Sequence, residues 1–343
     1  MQGGAGQHDN MSVRVLVAGG AGYIGSHTAR LLAQEGFEPV ILDDLSTGHA
    51  WALQGPLIKG DIADARLVSS VVEDVKPVAL LHFASSILVG ESMELPEKYY
   101  ANNVAGSIAL LGVALKYGLP VIFSSSAAVY GTPEKTPITE DAPRRPDSVY
   151  GQTKLVVEEM LSWYSRLRDL RYISLRYFNA AGASGDSALG ELHRPETHLI
   201  PLALHSVLGI REKLTVFGDD YDTPDGTCIR DYIHVEDLAE AHLLALRHLL
   251  DRGESEVFNL GCQKGYSNME VIGTVESATG KTVPREVGPR RPGDPPVLLA
   301  SSGKIGARLG WKPKYALGDM VEHTWKFLLA NEDRVRKFYG EPG

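Results

Sequence analysis

The first half of the chain alternates between short apolar runs and longer amphipathic stretches. Val13–Ala18 is rich in β-branched residues apart from Arg14, and Pro39–Leu42, Leu57–Gly60 and Val78–Phe83 are similarly short and largely apolar. Such runs are typical of strands that are buried on both faces of a parallel sheet. Because helical patterns separate them, the sequence predicts repeated strand–helix units of an α/β fold.

The pattern continues to the middle of the chain and then becomes irregular. Val121–Phe123 and Arg171–Arg176 predict a fifth and a sixth strand, and Pro96–Lys116 predicts one long helix. Beyond residue 180 helices, strands and loops no longer alternate strictly. We expect helices at Leu199–Gly209 and Val235–Leu250, strands at Leu214–Phe217, within Thr227–His234 and at Glu256–Leu260, and loops at Thr132–Ser148, Gly182–Pro195 and Val283–Pro296.

Three glycines follow the first strand directly. Gly19, Gly22 and Gly25 have the spacing G-x-x-G-x-x-G and lead into a helical pattern, Ser26–Glu35. Glycine permits a tight turn and lets a pyrophosphate approach the N–H groups at a helix N-terminus. Alone, this spacing also fits an ordinary structural turn.

Acidic residues end the second strand. Asp43 and Asp44 lie about 20 positions beyond the glycines, where a carboxylate binds a ribose 2′-hydroxyl and repels a 2′-phosphate. The series of strand, turn, helix, strand and acid therefore predicts NAD binding by a Rossmann-type doubly wound parallel sheet, with a smaller C-terminal α/β lobe. With no tether in the sequence, we expect a disordered extension at 1–11, an NAD-binding domain at 12–180 with returns from 227–262, and a mainly substrate-binding lobe at 181–335.

Composition narrows the class of partner. The net charge of −9 argues against nucleic acid or an anionic membrane as the main partner. Cys228 and Cys262 fit neither a metal spacing nor a redox spacing, and we predict no metal site. A reducing cytoplasm is the expected location. Residues 1–10 lack the apolar core of a signal peptide, and no run reaches the ~18 apolar residues of a membrane span.

Polar residues follow several predicted strands, at the sheet edge where ligands bind. Asp61 and Ile62 follow the third strand, although Asp61 equally fits an N-cap for a helix from Ala63. Ala84 and Ser85 follow the fourth strand. The fifth strand is followed by serines, of which Ser126 is the candidate catalytic hydroxyl.

Tyr150 and Lys154 supply the candidate acid–base chemistry. Four residues apart, they fall on one face of the predicted helix. There the ammonium lowers the pKa of the phenol by stabilising the phenolate. A phenolate beside the Ser126 hydroxyl is suited to taking a proton from an alcohol, and NAD accepts the hydride that alcohol oxidation releases.

Arginines appear late in the chain. Arg230 precedes Asp231, and Arg291 lies with Asp294 in a Pro/Arg-rich loop. Guanidinium groups match phosphate oxygens, so these residues suggest a lobe that closes on an anionic ligand. Surface salt bridges explain the same residues equally well.

Taken together, these residues resemble the extended short-chain dehydrogenase superfamily and, within it, the UDP-glucose (UDP-galactose) 4-epimerases. The resemblance covers about residues 12 to 335. It rests on the runs Gly19–Ser26, Ile41–Asp43, Ser124–Ser126, Tyr150–Lys154, Leu175–Asn179, Arg230–His234 and Asn259–Gly261.

The resemblance implies a reversible oxidation at one sugar carbon. Tyr150 takes the proton of the sugar 4-hydroxyl while NAD takes hydride from C4, Lys154 binds the nicotinamide ribose, and Ser126 binds the reacting hydroxyl. The 4-keto sugar then turns about its pyrophosphate and receives the hydride on its other face. It also implies a homodimer through the helices near Pro96–Lys116 and Tyr150–Arg166.

Two groups of binding residues are expected, one for NAD and one for the UDP-sugar. Residues that no sequence pattern above indicates are implied by the resemblance alone. NAD is expected at Gly19, Gly22, Tyr23, Ile24, Gly25, Asp43, Asp44, Asp61, Ile62, Phe83, Ala84, Ser85, Asn102, Ser124, Tyr150, Lys154 and Phe178. The UDP-sugar is expected at Ser126, Tyr150, Asn179, His198, Leu199, Phe217, Arg230, Arg291, Asp294 and Leu298.

Three positions depart from the family pattern. Ile87 replaces a common lysine near the nicotinamide, and His198 replaces a usual substrate-binding asparagine. Leu298 stands where tyrosine narrows the sugar site or cysteine widens it, which leaves N-acetylated sugars and pentoses open as alternative substrates.

Two other functions compete with an epimerase. A 4,6-dehydratase or decarboxylase needs an acidic residue just after the Ser/Thr, where this chain has Ala127 and Ala128. A non-catalytic NAD-sensing protein needs neither Tyr150 nor Lys154. The sequence therefore favours the epimerase.

Overall fold

The computed structural model describes residues 13–291 and 294–340, so the expected extension at 1–11 lies outside the described residues. The described part of the chain contains thirteen strands. They are β1 (Val13–Ala18), β2 (Phe37–Asp43), β3 (Leu57–Lys59), β4 (Ala79–His82), β5 (Val121–Ser126), β6 (Tyr172–Tyr177), β7 (Asn179–Ala181), β8 (Leu214–Phe217), β9 (Ile229–His234), β10 (Glu256–Leu260), β11 (Gly265–Ser267), β12 (Arg285–Gly288) and β13 (Val297–Leu298).

Twelve α-helices accompany these strands within the same residues. None of the helices described is long and apolar enough to cross a membrane. They are α1 (Tyr23–Gln34), α2 (Ala65–Val75), α3 (Val89–Glu94), α4 (Pro96–Tyr99), α5 (Gly106–Tyr117), α6 (Val149–Arg168), α7 (Leu199–Val207), α8 (Val235–Leu250), α9 (Asn268–Thr279), α10 (Gly303–Leu309), α11 (Leu317–Ala330) and α12 (Glu332–Gly340).

A seven-stranded sheet forms the centre of the fold. Its order is β3-β2-β1-β4-β5-β6-β10, and every neighbouring pair is parallel. The order reverses between β1 and β4, which creates the crevice where such sheets bind ligands. The predicted doubly wound Rossmann-type sheet is confirmed.

Apolar side chains project from both faces of this sheet. Along β1, Val15 and Val17 join the core beneath α1 and α8, whereas Leu16 and Ala18 join the core beneath α2, α5 and α6. The alternation explains why the strand carries an uninterrupted apolar run. Each face of the sheet is covered by helices, so the carboxyl edge is where polar residues can meet a ligand.

A third core belongs to the later part of the chain. It joins apolar residues of α7, α9 and α11 with residues of the short strands. There β9 pairs with β7 and β13 in parallel and with β11 in antiparallel, while β8 and β12 form a separate parallel pair. This is the smaller α/β lobe expected from the sequence.

Several predicted elements differ from the structure. The first helix, predicted at Ser26–Glu35, begins at Tyr23, and the predicted loop Val283–Pro296 contains β12, which forms by pairing with distant β8. The fifth strand continues through Ser126, because its serines remain in register with β6 up to Tyr177. The long helix predicted at Pro96–Lys116 is interrupted by a π-helical turn at Tyr100–Ala105. Polar side chains in that turn bind a neighbouring loop, as described below.

Candidate active site

The turn between β1 and α1 is shaped for close approach. Gly19 has φ +79°, and a Cβ there would lie 2.5 Å from the backbone nitrogen of Ala84. At Gly25 a Cβ would lie 2.3 Å from the carbonyl oxygen of Gly19. Gly22 caps α1 without a side-chain hydrogen bond, so first-turn N–H groups are available to an anion. The turn therefore fits a pyrophosphate.

Asp43 is fixed at the end of β2. Its carboxylate accepts hydrogen bonds from the backbone N–H of Ala21 at 3.0 Å and of Leu45 at 2.8 Å. Burial raises the pKa of Asp43 from its usual value, although the two backbone N–H groups oppose that rise. Each carboxylate oxygen retains a lone pair for a ribose hydroxyl. Asp44 is exposed and accepts from the N–H of Ser46 instead.

Asp61 does not cap the helix that follows it. Its carboxylate accepts from the N–H of Ala63 at 2.8 Å within a turn, whereas Asp64 is the N-cap of α2 and accepts from two N–H groups. The alternative role of Asp61 as that helix's N-cap is wrong, because the helix begins only at Ala65. Ile62 is buried in the core beside α5.

Lys154 reaches the sheet edge from α6. Its Nζ donates to the Ser85 hydroxyl at 2.7 Å and to the carbonyl oxygen of Ser124 at 2.9 Å. The hydroxyl of Ser124 is paired with Tyr177. Burial lowers the pKa of Lys154 to about 7, although the charge of Glu158 opposes the shift. A predicted catalytic residue therefore joins two predicted cofactor residues.

Tyr150 lies in the first turn of α6, beside the end of β5. A Cβ at Gly151 would lie 2.4 Å from the carbonyl oxygen of Ala128, so glycine permits the close approach of α6 to the turn that follows β5. Burial raises the pKa of Tyr150, and a hydrogen bond with the Ser126 hydroxyl partly offsets that rise. The structure thus brings the predicted phenol and hydroxyl together.

The expected lowering of the Tyr150 pKa by Lys154 is not found. The ammonium lies 5.8 Å from the centroid of the Tyr150 ring and is directed to its two acceptors, so desolvation dominates the phenol. Within the protein alone, the hydroxyl of Ser126 is the group that favours the phenolate.

The predicted sugar-nucleotide residues form two groups in the later lobe. Arg230 makes an ion pair with Asp294, and the backbone of Leu298 is in register with Arg230. The guanidinium of Arg291 lies 4.1 Å from the centroid of the Phe217 ring. The first group reaches the other half of the fold, because Leu298 packs with Phe178 on the buried cluster of Val129, Tyr130, Ile138 and Leu155.

Three further residues on the predicted list have other surroundings. Asn179 donates to the carbonyl oxygen of Asp231 at 2.8 Å. His198 is the N-cap of α7, which Leu199 begins, and its Nδ1 lies 2.5 Å from Glu191. Burial opposes protonation, but the charge of Glu191 raises the pKa of His198 well above its usual range.

Comparison with known proteins identifies the family. The pattern of the family described as NAD dependent epimerase/dehydratase matches residues 15–261. The chain belongs to that family. NAD is therefore its cofactor.

Individual relatives match nearly end to end. The UDP-glucose 4-epimerase of Lactobacillus helveticus is 49% identical over 322 residues, which are 92% of this chain and 97% of the relative. The crystal structure of the Brucella ovis UDP-glucose 4-epimerase with NAD has a TM-score of 0.90 at 48% identity, covering 92% and 98% of the two chains. The Bifidobacterium longum enzyme with NAD⁺ and UDP has a TM-score of 0.89 at 36% identity, covering 94% and 99%.

Sequence reasoning missed two residues that hold the site in place. Asn103, beside the predicted NAD residue Asn102, is buried in the π-helical turn and binds the backbone of Ser86 and the hydroxyl of Thr153. The hydroxyl of buried Ser92 accepts from the N–H of Tyr150 at 3.1 Å. The paired asparagines within an apolar helical pattern were the available signal for the first; nothing local distinguishes Ser92.

Proposed function

We propose that the protein interconverts UDP-galactose and UDP-glucose by inverting C4 of the sugar. The observation that carries the proposal is the half-buried Tyr150–Ser126 pair beside the buried Lys154, at the carboxyl edge of a sheet shaped for NAD. Ala127 and Ala128 follow Ser126, so no carboxylate stands there for elimination chemistry. The relatives' names supply the sugar nucleotide.

The chain's own groups divide the chemistry as follows. As a phenolate, Tyr150 accepts the proton of the 4-hydroxyl on Oη and later returns it, so the phenolate is regenerated in each cycle. Ser126 binds the same oxygen and favours the phenolate. Lys154 holds the nicotinamide ribose. When bound there, NAD would supply a reversible hydride acceptor for C4.

The proposed division of labour along the chain follows from these roles. Residues 12–180, with returns from 227–262, hold NAD, and residues 181–335 mainly hold the sugar nucleotide. Arg230 and Arg291 are the proposed cations for the pyrophosphate, with Arg230 exchanging its Asp294 partner for phosphate oxygens. Leu298 is intermediate in size and leaves N-acetylated sugars and pentoses as alternative substrates, while the relatives' names favour UDP-glucose.

Turnover of UDP-galactose by the purified protein tests the function. We expect UDP-glucose as the product, with no consumption of added NAD, because the hydride returns to the sugar. A product that lacks a hydroxyl or a carbon identifies the dehydratase or decarboxylase instead. NAD binding without turnover of UDP-galactose, UDP-GlcNAc or UDP-xylose identifies the sensor, while turnover of only one of the latter two changes the assigned sugar.

We also propose that two copies pair through α5 and α6. Ile108 on α5 is 50% exposed, and Trp163 and Leu167 on α6 are 54% and 69% exposed. A second copy with the same apolar face would cover them in a symmetric helical interface. Leu167→Glu should give a monomer in light scattering, whereas Val287→Glu, at another exposed apolar residue, should leave a dimer. A monomeric wild type contradicts the pairing.

The proposed compartment is the cytoplasm. Both cysteines are free thiols, with Cys228 buried and Cys262 partly buried. Free thiols suit a reducing compartment. Fluorescent labelling of the full chain in its own cells tests the location, and a secreted signal contradicts it.

A further inference from the structure

A compact group of histidines and glutamates lies in the loop before α7 and includes His198, one of the expected UDP-sugar residues. The loop cluster contains four side chains whose nearest donor atoms all lie within 4.8 Å of one another. Its members are Glu191, His193, Glu196 and His198.

The donor atoms converge at distances that suit one ion. His198 Nδ1 lies 2.5 Å from Glu191 Oε1 and 3.4 Å from Glu196 Oε1, and His193 Nδ1 lies 2.9 Å and 4.0 Å from the two glutamates. Four ligands at about 2.0–2.1 Å from a tetrahedral ion are separated by about 3.3 Å. The observed distances bracket that value.

Some of these atoms are buried and lack a partner. The Glu196 side chain is only 3% exposed, and its Oε2 has no hydrogen bond. The other oxygen, Oε1, accepts from the N–H groups of Thr197 and His198, which orients the carboxylate. His193 Nδ1 is also unpaired, since its 2.9 Å approach to Glu191 lacks hydrogen-bond alignment. Buried polar atoms of this kind normally have a partner, including water or an ion.

Charge points the same way. The two buried carboxylates carry two negative charges, which a divalent ion bound to both would balance. Imidazole nitrogen and carboxylate oxygen together are ligands of zinc and similar divalent ions. We propose that the loop cluster binds one divalent transition-metal ion, with Zn²⁺ as the ion that four protein ligands in this arrangement favour.

The position of the site gives the ion a structural role. The ring of His193 packs edge-on to Tyr23 of the NAD turn, with centroids 6.2 Å apart, and His198 caps α7. A bound ion therefore ties the NAD turn to the helix that begins with Leu199. Because the protein supplies all four ligands, no position is left open for a reacting water.

A second histidine–glutamate group provides the matched control. Its members are His234, Glu236 and His323. Here the donors are satisfied by the protein, because His234 contacts the Glu236 N–H and His323 Nδ1, both at 3.0 Å, and Glu236 accepts from Tyr315. A substitution in this group should leave metal binding unchanged.

Metal content of the full, untagged chain tests the proposal. After removal of metal with EDTA, titration with Zn²⁺ alone should reach one ion per chain and raise the melting temperature. Cobalt(II) in its place should give the visible absorption of four-coordinate cobalt. Glu196→Gln should weaken zinc binding by at least about ten-fold, and His323→Gln should not.

Several results overturn the proposal. One such result is wild-type protein that takes up no zinc, and another is a cobalt form with only the spectrum of the hydrated ion. Either result shows that protons and hydrogen bonds among the four side chains, without a metal ion, balance the carboxylates. Zinc affinity unchanged in Glu196→Gln, or lost equally in His323→Gln, places the metal elsewhere. If Glu196→Gln fails to fold, His193→Gln replaces it, and the wild-type stoichiometry and cobalt spectrum still decide the question.

Discussion

Two buried cations, Arg176 and Lys154, have opposite surroundings. Lys154 lies on α6, and Arg176 contacts α6 at Glu158, about one helical turn further along. Arg176 is held by the carboxylate of Glu158, with Nε to Oε1 at 2.8 Å, and its NH1 also donates to the hydroxyl of Tyr130 at 2.7 Å. Lys154, four residues before Glu158, donates only to a serine hydroxyl and a backbone carbonyl oxygen.

The electrostatics follow from the partners. Burial lowers the pKa of Arg176, but Glu158 outweighs it and the net pKa is raised. Lys154 has no carboxylate in contact, so burial prevails and lowers its pKa to about 7. The paired cation is committed to holding β6 against α6. The cation without a carboxylate retains the capacity to bind another group, and that is the one beside Tyr150.

The largest expected effect is on turnover, and it should distinguish Tyr150, beside Lys154, from Tyr130, beside Arg176. Tyr150→Phe removes the proposed base and should lower turnover of UDP-galactose by about 10²–10⁴-fold while NAD still binds. Tyr130→Phe removes a hydroxyl from the arginine network and should cost about 1–3 kcal/mol of unfolding free energy with nearly unchanged turnover. Steady-state kinetics and urea unfolding of both variants make the comparison. Equal losses of turnover would remove the distinction.

Breaking the paired region should mainly affect folding. Glu158→Gln leaves the guanidinium of Arg176 buried without a counter-charge, so we expect a loss of about 3–5 kcal/mol in the free energy of unfolding. Glu322→Gln, in an exposed pair with Lys326 whose side chains are both 55% exposed, is the control and should cost less than about 1 kcal/mol. Similar losses in the two variants contradict the network's role.

The depressed pKa of Lys154 predicts a pH dependence of stability. Between about 7 and the usual value of 10.5, the native protein binds fewer protons at this site than the unfolded chain. Wild type should therefore gain stability relative to Lys154→Met as pH rises through that window, by at most about 1.4 kcal/mol per pH unit. Urea unfolding of both proteins across the window measures the slope. A difference independent of pH is inconsistent with a depressed pKa.

The smallest effect concerns a single acceptor of the lysine. Ser85→Ala removes the hydroxyl that lies 2.7 Å from Nζ of Lys154. Because that hydrogen bond helps to position the lysine, its loss should raise the activation free energy by about 1 kcal/mol, which is about a five-fold loss of turnover. Ser165→Ala, at a hydroxyl paired with Ser255 on the outer end of the same helix, should leave turnover unchanged. An unaltered rate in Ser85→Ala shows that the Ser124 carbonyl alone holds the lysine.

The central fold was predictable because its signals are local. β1 and α8 have the bounds that apolar periodicity predicts. A buried strand and an amphipathic helix each produce a characteristic spacing of apolar residues within their own segment of the sequence. β7 and β13 were missed, because strands of two or three residues carry no period and exist through pairing with distant β9. The interruption at Tyr100–Ala105 contains Asn103, whose contact with Ser86 is likewise long-range and leaves no local pattern in the sequence.

The candidate site divides in the same way. Spacing predicts Tyr150 and Lys154 on one helix face, but it does not reveal where the ammonium is directed or that burial raises the pKa of the phenol in the protein alone. The prediction of no metal site rests on cysteine spacings, which carry no information about Glu191 and His193 of the proposed loop cluster. The alternating glutamates and histidines of that loop were visible in the sequence.

The twenty residues of α6 combine the proposed chemistry, a buried ion pair and the proposed contact with a second copy in one helix. One turn carries Tyr150 and Lys154, the next turn anchors Arg176 through Glu158, and the outer end presents Trp163 and Leu167 to solvent. The face of α6 on which a substitution lies therefore determines whether it affects catalysis, packing or assembly. A saturation scan of this segment should show tolerance that rises and falls every 3.6 positions, with a different failure at each minimum.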